Sequence, residues 1–374
     1  MQHSEAVVIG AGIIGIAVAR ALAHRGVRVV LLEGGQRPGQ GISSRNSGVV
    51  HAGLYYPAAS LKAQLCRLGR KALYEFCEER GVRYRRCGKI IVATDRGDVA
   101  TLERLKDEGN ASGVGDLELL DAEDLRRLEP TIRGTKALFS PQTGIVDVQG
   151  FLVALQADAE AAGVTIACAS PVTGGSLQSS AIRLERGGSS PTEISSEIVV
   201  NCAGLDAWSV SGMLDGLDKT SIPPRFLAKG TYFTLKGCAP FEHLIYPLPE
   251  PGGLGIHATL DFAGGARFGP DVEPVDRANY AIDMARAEAF YEAIRSYWPD
   301  LPDGALVPGY AGVRARTADI AGFSDFIIQG PTDTGHQAYF ALYGIDSPGL
   351  TAALAIGEHL AQLATSVPAR RNPP

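Results

Sequence analysis

The stretch AVVIGAGIIGIAVARALA, Ala6 to Ala23, followed at Arg28 by RVVLLE, sets how this 374-residue chain folds. Ala6 to Gly10 is a short apolar run of β type. Gly10, Gly12 and Gly15 complete a G-x-G-x-x-G pattern, and Ile16 to His24 reads as a helix. The three glycines serve a tight turn, close approach of backbone to a pyrophosphate, and close packing of helix on strand. Phosphates placed there meet a helix N-terminus, whose free N–H groups and dipole favour negative charge. RVVLLE is a second buried strand, and it ends on Glu33, 18 positions after Gly15. A carboxylate there accepts hydrogen bonds from an adenosine ribose and repels a 2′-phosphate. A glycine triplet alone matches by chance. Strand, triplet, helix, strand and acid in sequence point to a dinucleotide-binding βαβ unit rather than to an ordinary one whose turn binds nothing.

Over the whole chain, 45% hydrophobic residues at this length can bury a full core, as two domains or one interleaved pair. The net charge of −6 and the pI near 5.7 supply no basic field for nucleic acid, and no block of like charge marks a polybasic anchor. Cys66, Cys77, Cys87, Cys168, Cys202 and Cys238 are scattered without a CxxC pair, which reads as buried thiols in a reducing compartment. The apolar N-terminal run has no Lys or Arg before it and is read as strand and helix, not as a signal peptide. No apolar run is long enough for a membrane span, so a cytoplasmic protein, free or peripheral to a membrane, is expected. Metal ligation is unsupported, because no His/Cys pair has ligand spacing on one element. A serine hydrolase lacks its G-x-S-x-G turn.

After Glu33 the chain does not go straight to a third apolar strand. It enters GGQRPGQGISSRNSGVVHAGLYY, Gly34 to Tyr56, which is either a polar surface loop or a loop laid against a large ligand. The glycine motif itself does not separate FAD from NAD. This loop resembles the flavin-contacting loop of the D-amino-acid-oxidase-like family of FAD oxidoreductases. RNSGVVHAGLYY followed by SLKAQLCRLG is most similar to the L-2-hydroxyglutarate dehydrogenases and oxidases within that family. The resemblance implies an α/β protein: an FAD-binding Rossmann-type (glutathione-reductase-like) domain with a mixed-sheet substrate domain. It implies that Gly10, Gly12, Ile13, Ile14, Gly15 and Glu33 hold the ADP half of FAD. Ser44, Arg45, Asn46 and Ser47 would contact the cofactor, and His51 would lie beside the flavin ring. No role is assigned to Lys62, since amphipathicity from Ser60 to Arg80 explains that segment.

Along the rest of the chain, GKIIVAT, a charged helix around Val99 to Glu108, and DAEDLRRLEP stopped by Pro130 read as an inserted substrate-side unit. Phe151 to Val164 is an amphipathic helix leading to TIACASPV, where the resemblance places backbone contacts to adenine near Val172. SSEIVVNCAGLDAWS is a strand running into Ala203 and Gly204, similar to the family's second FAD-contacting turn. RFLAKGTYFTL, HLIYPLP, GLGIHATL and ARFGP are short strands punctuated by Gly and Pro, and a helix is expected from Tyr280 to Tyr297. GGSSPTE reads as a hairpin tip and the tail PARRNPP as frayed. These divisions give a discontinuous FAD-binding domain, 1–83 with 145–220 and 317–374, and a substrate domain, 84–144 with 221–316.

The C-terminal run ALYGIDSPGLTAALAIGEHLAQLA resembles the family's closing motif, in which a helix N-terminus faces the flavin pyrimidine edge. Gly344, Ser347, Gly349, Leu350 and Thr351 are the positions concerned, and Pro348 suits the residue before a helix start. The hydroxyglutarate dehydrogenases typically carry NAPSPAATSSLAIG there. The helix matches and the residues before it depart. The cysteine that links flavin in some sarcosine-oxidising relatives sits late in the chain. Here none follows Cys238, so non-covalent FAD is expected.

Oxidation by flavin requires a substrate anchor and an acceptor for the hydroxyl proton. PGYAGVRAR resembles the segment in which the family puts a carboxylate-binding arginine, and Arg314 is the candidate because a guanidinium fork matches a carboxylate in two parallel hydrogen bonds. Arg316, two residues on, shares its face but not its spot. Histidine supplies a base without a large pKa shift. Of seven histidines, His257 and His51 lie in site-like sequence, whereas His3, His24, His243, His336 and His359 read as structural or solvated. Tyr55 and Lys229 are candidates for holding a second carboxylate. The expected activity is FAD-dependent oxidation of a small 2-hydroxy acid, 2-hydroxyglutarate above others, with oxygen, a quinone or a protein reoxidising the flavin. The alternatives are an amino-acid or N-methyl amino-acid oxidase of the same superfamily and a non-catalytic FAD-binding protein.

Overall fold

The computed structural model describes residues 2–178, 181–249, 254–320 and 322–366. Its first unit is β1 (Gln2–Ile9), α1 (Ile13–Ala23) and β2 (Val29–Leu32), with β1 and β2 parallel from Ala6↔Val29 to Ile9↔Leu32. On its other side β1 pairs in parallel with Thr192–Asn201, so both flanks of the glycine turn are fixed by strands. Val7 and Val8 point to opposite faces and are both fully buried, as a parallel strand covered on two sides requires.

This nine-stranded sheet also contains Thr165–Ala167, Val172–Leu177, Ile182–Arg186, Leu214–Asp215, Ile327–Gln329 and Tyr339–Tyr343. A second nine-stranded sheet is built from Lys89–Ala93, Glu118–Asp121, Lys136–Ser140 and the six strands between Phe226 and Arg316. Every strand of the first sheet comes from 1–83, 145–220 or 317–374, and every strand of the second from 84–144 or 221–316. On that membership we propose the two sheets as the cores of two discontinuous domains. A small antiparallel sheet of Val49–Val50, Gly144–Val146 and Tyr84–Arg85 ties the crossing segments together.

Two glycines set how the C-terminal helix, Gly349–Ser366, seats itself. A Cβ on Gly357 would stand 2.5 Å from the Ala17 carbonyl oxygen in α1, and one on Gly69 would stand 2.4 Å from the Thr351 carbonyl oxygen. The helix is therefore wedged between α1 and the helix Leu61–Arg80 at a backbone approach no larger residue permits. Its N-terminus is held rigidly where Ser347 and Pro348 enter the site.

The sequence-based elements differ from the structure in one informative place. The helix expected from Tyr280 to Tyr297 begins only at Ala287, after a single 3₁₀ turn, Met284–Arg286. Asn279 Oδ1 accepts from Ala281 N and Asp283 Oδ1 accepts from Ala285 N, both at 2.9 Å, so side chains capture the N–H groups that a longer helix would use. Tyr280 is thereby free to lie under the Arg45 guanidinium, 3.9 Å from its ring centroid. Residues 187–191 do form the hairpin tip between Ile182–Arg186 and Thr192–Asn201. The tail PARRNPP lies outside the described residues.

Candidate active site

A cavity of about 1200 Å³ is lined by residues from both large sheets. That exceeds most small-ligand pockets and suits a dinucleotide together with a small substrate. One end is the glycine turn. Gly10 has φ +98°, and a Cβ there would meet the Cys202 carbonyl oxygen at 2.7 Å; on Gly15 it would lie 1.8 Å from the Gly10 carbonyl oxygen. Both are glycines because protein backbone fills the space. Gly12 is different: its added Cβ would meet only Ser43 Oγ, at 3.2 Å, and otherwise faces the cavity. The room at Gly12 is kept for a ligand.

The first turn of α1 leaves N–H groups without intrahelical partners. Ser43 Oγ accepts from Ile13 N at 3.0 Å, and Ile14 also lines the cavity. Glu33 holds the next turn together, its two carboxylate oxygens accepting from Ala11 N and Gly35 N at 2.7 Å each. Val172, Ala203 and Gly204 complete this end. A cradle of glycine, helix N-terminus and half-buried acid fits the ADP half of FAD.

Of the loop residues, Arg45, Asn46 and Ser47 line the cavity. Ser44 does not: its Oγ donates back to the carbonyls of Gln40 and Gly41, and Ser43 takes the cavity position. Arg45 also donates to the Ala311 carbonyl at 3.1 Å, joining the loop to the strand Leu306–Arg316. At the closing motif Gly344, Ser347, Gly349 and Leu350 line the cavity. Thr351 stands behind, its Oγ1 accepting from His51 N at 3.0 Å, so it positions His51 rather than facing a ligand.

The other end brings together His51, His257, Arg314, Tyr55, Tyr232 and Tyr246. His257 packs face to face on Tyr246, ring centroids 3.8 Å apart, and its Nδ1 lies 3.0 Å from the Gly255 carbonyl oxygen. A carbonyl only accepts, so Nδ1 carries the hydrogen and Nε2 of the neutral ring presents its lone pair. His51 Nε2 is 3.1 Å from Ser347 Oγ. Burial, helped by the charges of Arg314 and Lys89, pushes His257 down to about 3; burial, then Lys89, His257 and Arg314, does the same to His51. Both imidazoles are neutral at physiological pH, and the expectation of a histidine base without a large shift is not met, because burial disfavours the imidazolium of each. Among the described residues Arg314 has no carboxylate within ion-pairing distance, whereas Lys62, which also lines the cavity, is matched to Asp346 at 2.6 Å. Arg316 also lines the cavity; its Nη2 donates to the Gly322 carbonyl at 2.6 Å, and among the described residues its buried Nε has no partner. Lys229 does not line the cavity; its ammonium is 3.6 Å from Glu273.

Reading the sequence did not single out Ser43, Tyr246 or Lys89. Lys89 had a signal: it opens KIIVA, a strand whose every residue is buried, and a lysine in such a run calls for an explanation.

The chain matches, over residues 5–363, the family described as DAO, FAD dependent oxidoreductase. It is 39% identical to a mitochondrial L-2-hydroxyglutarate dehydrogenase of Arabidopsis thaliana, over 96% of this chain and 83% of that protein. It is 30% identical to L-2-hydroxyglutarate dehydrogenase of Escherichia coli K12, over 98% and 94% of the two chains. Among solved structures it superposes on a dithionite-reduced L-alpha-glycerophosphate oxidase from Mycoplasma pneumoniae with FAD bound, at a TM-score of 0.87 and 24% identity, covering 100% of this chain and 97% of that one. At that identity the likeness speaks for the fold. Among the described residues no helix is long and apolar enough to cross a membrane.

Proposed function

The chain belongs to the DAO family of FAD-dependent oxidoreductases, and within it we propose that it oxidises L-2-hydroxyglutarate to the 2-oxo acid. The observation that supports this reading most is the neutral, tautomer-fixed His257 facing the same cavity as Arg314, whose guanidinium no carboxylate of the described residues pairs. Two relatives of high coverage that are named for this substrate support it further.

Residues Gly10 to Gly15, Glu33, the loop from Ser43 to Ser47 and the N-terminus of the C-terminal helix would hold FAD, which when bound supplies the two-electron acceptor. The chain's own residues do the rest. Arg314 takes the C1 carboxylate in a bidentate grip and so fixes the plane of C2. His257 Nε2 receives the hydroxyl proton as the C2 hydrogen leaves with its electron pair. The carbonyl of Gly255 holds the Nδ1–H and shares the positive charge that develops on the ring. His51, its backbone N–H donating to Thr351 Oγ1 and its Nε2 3.1 Å from Ser347 Oγ, is held in the wall of the same cavity. His257 and Tyr246 are buried and His51 and Arg314 half-buried, which limits the water around the newly formed ketone.

Reduction of purified holoprotein by L-2-hydroxyglutarate under anaerobic conditions tests this reading. Bleaching of the flavin band supports it, and a flavin that no 2-hydroxy acid reduces contradicts it.

A further inference from the structure

Lys89 is 1% exposed in the middle of the substrate-side sheet, yet among the described residues it has neither a carboxylate within ion-pairing distance nor a hydrogen-bond acceptor. The other two buried lysines bordering this region are paired, Lys62 with Asp346 and Lys229 with Glu273. Its ammonium instead sits over two phenol rings, 4.4 Å from the centroid of Tyr55 and 4.8 Å from that of Tyr246. With one face of Tyr246 covered by the His257 ring at 3.8 Å, the ammonium stands on the other. Base and cation are thus separated by one phenol ring. The hydroxyls of Tyr55 and Tyr246 are both buried and, among the described residues, both lack a hydrogen-bond partner.

Tyr55 and Tyr246 line the cavity, while Lys89 stands outside its lining, packed behind their rings; two such hydroxyls and an ammonium without an acceptor are costly unless a ligand supplies one. One carboxylate satisfies all three, since its two oxygens offer about four lone pairs. Resting on the reading of this site as one for 2-hydroxy acids, we infer that Lys89, with Tyr55 Oη and Tyr246 Oη, seats the substrate's second carboxylate and so selects dicarboxylic 2-hydroxy acids. Arg314 and Lys89 then divide the two ends of the substrate, with His257 between them. Burial pushes the Lys89 ammonium down to about 7 while it lowers the acidity of both phenols, so the tyrosines remain neutral donors and an arriving carboxylate draws Lys89 to its charged form. Lys229, which sequence alone put forward for this role, is turned to Glu273.

The test compares L-2-hydroxyglutarate with L-2-hydroxypentanoate, which has the same carbon chain without the distal carboxylate, in anaerobic reduction of the holoprotein. The wild type is expected to prefer the diacid by about 100-fold in kcat/KM, carried mainly by KM. In Lys89→Met that preference falls to below about fivefold, and in Tyr55→Phe it falls part of the way. A Lys89→Met enzyme that slows equally with both substrates, or keeps its preference, overturns the assignment. Calorimetric binding of glutarate and pentanoate gives a reading independent of turnover. Glutarate should bind the wild type and lose at least tenfold in Lys89→Met, and in Lys89→Gln should the methionine variant not fold. If the wild type binds the two acids equally, the subsite is refuted even where the oxidation stands. If glutarate binding depends on Lys89 but no hydroxy acid bleaches the flavin, the subsite stands and the proposed reaction fails.

Discussion

Replacing His257 by Gln removes the proposed base while keeping a polar side chain of similar size. In the wild type the Gly255 carbonyl fixes the tautomer and the Tyr246 ring fixes the plane, so one nitrogen lone pair is presented in one direction. Glutamine can still donate to Gly255 but offers an amide oxygen with no useful basicity. Loss of a positioned general base lowers the rate about 10²–10⁴-fold, which is about 3–5 kcal/mol of barrier. Losing the stacked ring pair removes about 0.5–1.5 kcal/mol of folding stability, small enough for a chain of this size to stay folded. Arg314 is untouched, so the concentration giving half-maximal reduction should move by no more than about threefold. The assay is stopped-flow anaerobic bleaching across a range of L-2-hydroxyglutarate concentrations, with FAD content measured on the same sample. A limiting rate within about threefold of wild type refutes the assignment. If His51→Gln then shows the large loss, the base is the histidine bound to Ser347.

Other outcomes follow from the same geometry. Gly12→Val should give a folded but colourless protein, because its side chain meets only Ser43 Oγ and the space beyond belongs to the cofactor; Gly15→Ala, whose Cβ would lie 1.8 Å from the Gly10 oxygen, should instead lower the melting temperature. Circular dichroism and absorbance at the flavin band separate the two. Arg314→Lys keeps charge but loses the fork, so charged hydrogen bonds worth about 1.5–3 kcal/mol apiece should be lost mainly as raised KM, with FAD retained. Lys89 is charged below about 7 and neutral above it, so KM for the diacid should rise with pH through that value. The groups facing it do not titrate there: His51 and His257 are pushed down to about 3, the Cys66 thiol up to about 12, the phenols of Tyr55 and Tyr246 lie well above their ordinary range, and Arg314 stays cationic. A KM for the diacid that stays flat across pH 7 would argue against a charged Lys89 at the substrate.

What the sequence disclosed was local in the chain. The glycine turn, Glu33 and the loop to Tyr56 carry their chemistry in consecutive residues, and strand, turn and helix follow from short-range preferences. The C-terminal helix was legible for the same reason, with Pro348 at its start and small residues along its length. Elements built by pairing distant segments were harder to read. Lys89 meets Tyr246 because Lys89–Ala93 pairs in parallel with Leu244–Pro247, about 150 residues on, and no periodicity within either strand reports that. The choice between Ser43 and Ser44 turned on a 3₁₀ turn, Ile42–Arg45, that rotates one serine out and the other in. The late start of the helix at Ala287 was decided by two side-chain caps that compete with helix formation.

The reaction itself is tested by mixing oxidised holoprotein, anaerobically, with L-2-hydroxyglutarate and separately with L-glutamate, which has the same carbon chain and both carboxylates but an amine at C2. A neutral His257 beside a cationic Arg314 and Lys89 predicts rapid bleaching of the flavin by the hydroxy acid and none by the amino acid. Bleaching by L-glutamate with no response to L-2-hydroxyglutarate would contradict the proposed reaction and make the chain an amine oxidase of the same family.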